Sequence, residues 1–264
     1  MKSWVRAGVV AVCFSLIPIS TVAQSNQPRG PEPHGSAWKL FGNAEMVRDP
    51  ENQENIVLRI VSVGAAGNFA SAGAFRDLRH VKIWHLDHQL SFKRAFVAPN
   101  TCDGGSPRMT LFIDANGDGR FEQAPNGPDF AAHGHVRPPF AGCETSAPTP
   151  SGNNPSPSTL LWRFEDLTDE LLRWEVTPGG VLPGFPPIGG AGGPNWDALE
   201  AAISAAFPDH QVLRAMLVED FNATAGIAYY DLVTALELTL GTEGQENAPN
   251  PGPGNARGNG RGNN

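Results

Sequence analysis

Asn55-Ile-Val-Leu-Arg-Ile-Val-Ser-Val63 is the stretch whose reading decides the fold class. It is short and dominated by β-branched side chains, which are stiff at χ1 and suit the pleated surface of a sheet. Working outward from it, the same character recurs. Leu78 to Leu86 alternates through Val81, Ile83 and Leu86, and Gln89 to Val97 sets Leu90, Phe92 and Ala95-Phe96 near one face. Further strands are expected at Arg108–Asp114, Thr159–Phe164, Val212–Phe221 and Tyr229–Leu240. One segment breaks the rhythm: Trp196, Leu199, Ile203 and Phe207 recur at helical spacing, Asn195 caps the start and Pro208 closes the end. The stretches 143–158 and 178–194 read as long loops. The pattern predicts a mainly β chain, an antiparallel β-sandwich of jelly-roll type with one short helix near 196–207.

The ends of the chain have a different composition. Lys2 and Arg6 precede the apolar run Ala7–Ile17, and Thr21-Val-Ala23 offers small residues where a signal peptidase cuts. Residues 1–23 therefore read as a signal peptide, too short to span a bilayer. Residues 24–36 form a polar, Pro- and Gly-containing leader, and 243–264 a Gly/Asn/Pro-rich tail; neither carries enough apolar surface to offset its ordering entropy. A single β-sandwich domain is expected over 37–242, exported to the extracellular space or periplasm.

Charge narrows the partners. The formal net charge is −8, and loss of Lys2 and Arg6 with the signal takes it to −10. Nucleic acid and anionic lipid would repel such a protein, so neither is expected as a partner. Signal cleavage also removes Cys13 and leaves Cys102 and Cys143, an even pair in an oxidising compartment. Joining them closes a loop of about 40 residues and adds roughly 3–4 kcal/mol on the chain-entropy view. Two free buried thiols are the alternative.

The sharpest local motif is Asp114-Ala-Asn116-Gly-Asp118-Gly119-Arg-Phe-Glu122. Oxygen-bearing side chains at alternate positions, with a glycine at the sixth, match the first half of an EF-hand loop and suit Ca2+, a hard cation that takes several oxygen ligands. The twelfth position is Pro125 and no helix leads in, so a full EF-hand is not expected. The candidate ligands are Asp114, Asn116, Asp118 and Glu122, with Asp129 as another source of the last oxygen. The same residues equally suit a bare hairpin, because Asn-Gly and Asp-Gly are strong turn signals.

Two weaker constellations stand beside it. His85, Asp87 and His88 at a strand end, with His133 and His135 in a loop, have donor atoms for zinc or copper but read more simply as polar-loop residues. Glu165, Asp166, Asp169 and Glu170 could supply glycosidase-type carboxylates, or be a solvated turn. No nucleophile elbow, phosphate loop, zincin helix or dinucleotide fingerprint occurs.

Trp38-Lys-Leu-Phe-Gly-Asn-Ala44, Cys102-Asp-Gly-Gly-Ser-Pro-Arg108 and the late pair Val218-Glu-Asp220 and Tyr230-Asp-Leu-Val233 resemble segments of a loose group of uncharacterised exported bacterial β-sandwich proteins. The resemblance implies a secreted sandwich and no particular activity. Read together, the residues predict a non-catalytic binding module for carbohydrate or a cell-surface ligand. Trp38, Trp84, Trp162, Trp174 and Trp196 are candidate sugar-contacting rings. A polysaccharide hydrolase and a structural surface protein with a protein partner are the competing classes.

Overall fold

A computed structural model of the chain describes residues 37–62, 70–97, 107–136, 145–146, 160–169, 173–187, 193–221 and 226–241. Residues 1–36 and 242–264, where a signal peptide, leader and tail are expected, and both Cys102 and Cys143 lie outside the described residues.

Thirteen strands are present among them. In chain order they are β1 (Lys39–Phe41), β2 (Ala44–Arg48), β3 (Ile56–Ser62), β4 (Ala70–Val81), β5 (Leu90–Val97), β6 (Arg108–Asp114), β7 (Phe130–His135), β8 (Thr145–Ser146), β9 (Arg163–Asp166), β10 (Arg173–Thr177), β11 (Gln211–Phe221), β12 (Gly226–Ala235) and β13 (Leu238–Leu240). A 3-10 turn, Ile83–Leu86, follows β4, and helix α1, Trp196–Ala206, precedes β11. The first sheet runs β1-β4-β11-β6-β7-β10. The second runs β2-β3-β12-β5-β8, with β13 beside β12 and β9 beside β5. Every pairing is antiparallel except the short β5–β8 contact.

The β-sandwich follows from alternation. Leu58 and Ile60 of β3, Phe92 and Phe96 of β5, and Ala228 and Tyr230 of β12 join one core with Ala74, Leu111, Ala132, Trp174 and Leu217 of the first sheet. Each large side chain so buried contributes about 1.5–3 kcal/mol. The intervening residues Val57, Ala95, Val97, Ile227 and Tyr229 form a second apolar cluster on the outer face of the second sheet, covered by Leu160 and Trp162.

Helix α1 forms as its spacing predicts. Asn195 Oδ1 accepts the Ala198 N–H at 3.2 Å, and Trp196, Leu199 and Ile203 turn to the core. Trp196 meets Trp174 at 5.2 Å between ring centroids, and Phe207 meets Phe130 at 5.5 Å. The expected strand at Leu78–Leu86 divides: β4 stops at Val81 and the chain coils through the 3-10 turn, where His210 Nε2 takes the Ile83 N–H at 3.1 Å. The expected strand at Tyr229–Leu240 is two strands, β12 and β13, joined by a turn at Leu236 and Glu237.

Candidate functional site

The Asp114 motif leaves β6 and folds on itself. Asp114 is buried, and its Oδ1 accepts the N–H of Gly117 (2.6 Å) and Asp118 (3.3 Å) while Oδ2 accepts that of Gly119 (2.7 Å). Gly117 and Gly119 both adopt positive φ, +74° and +82°, which lets the chain turn this tightly. Asn116 and Asp118 are exposed and linked side chain to side chain at 3.2 Å. Glu122 joins through its backbone: its N–H donates to Asp129 Oδ2 at 2.6 Å, and Asp129 Oδ1 accepts the Ala115 N–H at 2.9 Å. Asp129 is therefore a buried tie across the loop's base. A carboxylate has about four lone-pair positions, and three of those on Asp114 are taken by backbone N–H groups. Among the described residues, no group of three or more His, Cys, Asp or Glu side chains is arranged to hold a metal.

The histidines are dispersed. His85 Nδ1 accepts the Lys82 N–H at the start of the 3-10 turn, and exposed His88 faces Asp166 at 3.4 Å. His133 and His135 are not in a loop. They lie in β7 on the face away from the core, yet both are buried. His133 sits between the hydroxyls of Thr110 (3.0 Å) and Thr177 (3.2 Å), and His135 lies 3.3 Å from Glu175 of β10. Burial first, then the charges of Arg108 and His135, push the His133 pKa down to about 3, so its ring is neutral. The loop reading failed because a polar side chain on an outward strand position gives no sign that it is covered.

Of the carboxylates at 165–170, Glu165 and Asp166 depart from a solvated turn, Asp169 is exposed in the turn that follows them, and Glu170 lies outside the described residues. Glu165 and Asp166 belong to β9, and Glu165 forms an ion pair at 2.5 Å with Arg94, whose side chain is buried in the second sheet. Close by, Glu219 of β11 accepts a hydrogen bond from the Tyr230 hydroxyl of β12, bridging the two sheets inside the sandwich. Burial, reinforced by Asp220, pushes the Glu219 pKa up to about 8 against the opposing pull of Tyr230, Arg108 and Arg94. Glu219 is thus a neutral acid at pH 7. Its presence was signalled only by a carboxylate continuing the inward register of Ala215 and Leu217; its partners come from other strands.

The aromatic side chains sort into two groups. Trp174 and Trp196 are core residues, and Trp38 is half-buried with its indole N–H near the Leu238 carbonyl. Trp84 is 44% exposed on the 3-10 turn against His210. Trp162 and Phe164 share the outer face of the second sheet. Phe164 stands opposite Lys93 and is 61% exposed, the most open large apolar side chain among the described residues. Trp162 is fixed beside it: Glu51 accepts its indole N–H at 2.9 Å, and Lys93 Nζ lies 4.7 Å from its ring centre. No family model, curated protein or solved structure matches the chain.

Proposed function

We propose that this protein is an exported, non-catalytic binding module that recognises carbohydrate at the Trp162–Phe164 edge of its second sheet. The observation that carries the reading is Phe164: an exposed ring on a short strand, flanked by Lys93 and by an indole held through its N–H. The C–H face of a pyranose stacks on such a ring, and charged neighbours hydrogen-bond its hydroxyls. Binding is favoured over cleavage because Glu165 is committed to Arg94 and Glu219 is sealed between the sheets, whereas a glycosidase needs two reachable carboxyl groups. A glycan array followed by calorimetry on neutral oligosaccharides tests it. Phe164→Ala should weaken binding about tenfold or more while leaving the unfolding midpoint nearly unchanged. An array without a bound sugar, or equal affinity in the variant, removes the reading.

The proposal includes export after Ala23 and a Cys102–Cys143 bond. Support for the bond comes from register: Arg108 faces His135 in adjacent strands, so six residues lead back to one cysteine and eight lead on to the other from the same end of the pair. Digestion without reduction should yield the two cysteine peptides linked. The proposal also gives the Asp114 loop a structural Ca2+, held by Asp114, Asn116 and Asp118. Extracellular calcium modules bind at about 10⁻⁴ to 10⁻³ M, so millimolar calcium should raise the midpoint by a small amount that Asp118→Ala abolishes.

A further inference from the structure

The strand that displays Phe164 outward sends the next residue inward. Glu165 meets Arg94 at 2.5 Å, and Arg94 lies directly across from Tyr230 in the β5–β12 register. Tyr230 holds Glu219 from the opposite sheet. Arg94 is buried, and its Nε finds no hydrogen-bond acceptor among the described residues. It therefore carries an unused donor in the same interior region as a second carboxyl group.

We propose that Arg94 is a cation shared between Glu165 and Glu219, so that ionisation of Glu219 draws the guanidinium away from Glu165 and loosens β9 under the aromatic edge. The groups that act on Glu219 are Tyr230 from β12, Arg94 from β5, Arg108 from β6 and Asp220 on its own strand. Arg108 is engaged by Asp220, whereas Arg94 stands across from Tyr230, the residue that holds Glu219, and has a buried Nε without an acceptor among the described residues. While Glu219 is protonated, one guanidinium serves one carboxylate and β9 is pinned to β5. Once the proton leaves to solvent, two buried carboxylates compete for that guanidinium, and the pairing to the edge strand weakens. Burial, the largest influence on Glu219, sets the change on the alkaline side of neutrality.

The consequence for ligand affinity rests on the carbohydrate reading; the motion of β9 does not. Hydrogen–deuterium exchange on the full chain, corrected for the intrinsic pH dependence of exchange, separates the two. From pH 6.5 to 9.5, protection of β9 should fall about tenfold relative to the centre of β4. Glu219→Gln, which cannot ionise, should keep β9 protected at both values, and Glu165→Gln should leave it unprotected at both. Protection of β9 that tracks β4, or the same fall in Glu219→Gln, overturns the proposal. If a variant folds poorly, the wild-type comparison of β9 with β4 decides alone. Loss of sugar binding with an intact β9 response would remove the functional reading and leave this one standing.

Discussion

Gly117 and Gly119 lie two residues apart with similar positive φ, and their surroundings differ. A Cβ on Gly117 would come within 2.4 Å of the Asp209 carbonyl oxygen, backbone that also borders α1 and β11, whereas one on Gly119 meets nothing within 4 Å. Alanine at 119 therefore pays only the left-handed backbone penalty, about 1–2 kcal/mol. At 117 it adds a backbone clash, and the cost should exceed that of Gly119→Ala by at least about 1 kcal/mol in denaturant unfolding. Equal costs would mean that the Asp209 segment yields freely. Gln211 Nε2, which donates to the Gly117 carbonyl at 3.0 Å, argues against such freedom. The sequence motif made this turn legible because its Asp, Asn and Gly residues act on their own backbone. The contact with Asp209 was not legible, because it comes from a segment about ninety residues further on.

Elements were legible in proportion to how far each one's own side chains reveal its burial. β3, β5, β6 and β11 carry bulky residues at alternate positions, and α1 carries its own cap, so local pattern and final position agree. β7 hides from that logic. Its inward residues are Phe130, Ala132 and Gly134, and the space that Gly134 leaves is filled by Trp174 of β10. A Cβ at 134 would lie 2.7 Å from the Trp174 ring. Meanwhile its outward residues, His133 and His135, are buried polar groups, so after Phe130 the strand shows small residues inside and titratable ones outside. The first half of β4 is masked likewise: Gly73 passes so close to Leu217 that no side chain fits. Neither the Glu219–Tyr230 bridge nor the Arg94–Glu165 pair could be read from spacing, since each joins different strands. If β7 and β10 pack as described, Gly134→Ala forces the Trp174 ring to shift and should cost about 1–3 kcal/mol, with a changed near-ultraviolet circular dichroism signal from the Trp174–Trp196 pair. A neutral substitution with an unaltered spectrum would contradict that packing.

For the whole molecule, two buried groups on opposite sides of the first sheet set the pH range of greatest stability. Glu219 binds its proton more tightly folded, about 8 against 4.5, so its contribution is complete below 4.5 and drains away as pH rises toward 8. His133 does the reverse, at about 3 against 6.5: its contribution is complete above 6.5 and drains away as pH falls toward 3. Between about pH 4.5 and 6.5 folding takes up one proton at Glu219 and releases one at His133, and the two slopes cancel. Smaller shifts, downward for His210 and upward for Asp231, oppose each other in the same sense. Above 6.5 the Glu219 loss is no longer offset by His133, and below 4.5 the His133 loss is no longer offset by Glu219, each at up to about 1.4 kcal/mol per pH unit. Urea unfolding at constant ionic strength should therefore show a plateau on the acid side of neutrality. From pH 6.5 to 8 the decline should be roughly 1 kcal/mol. Glu219→Gln should flatten that alkaline decline and leave the acid limb in place, because the acid limb belongs to His133 and, through its depressed pKa, to Asp77. An alkaline limb that survives in Glu219→Gln would assign it to another group, and a maximum above pH 8 would show that Glu219 ionises inside the fold without cost.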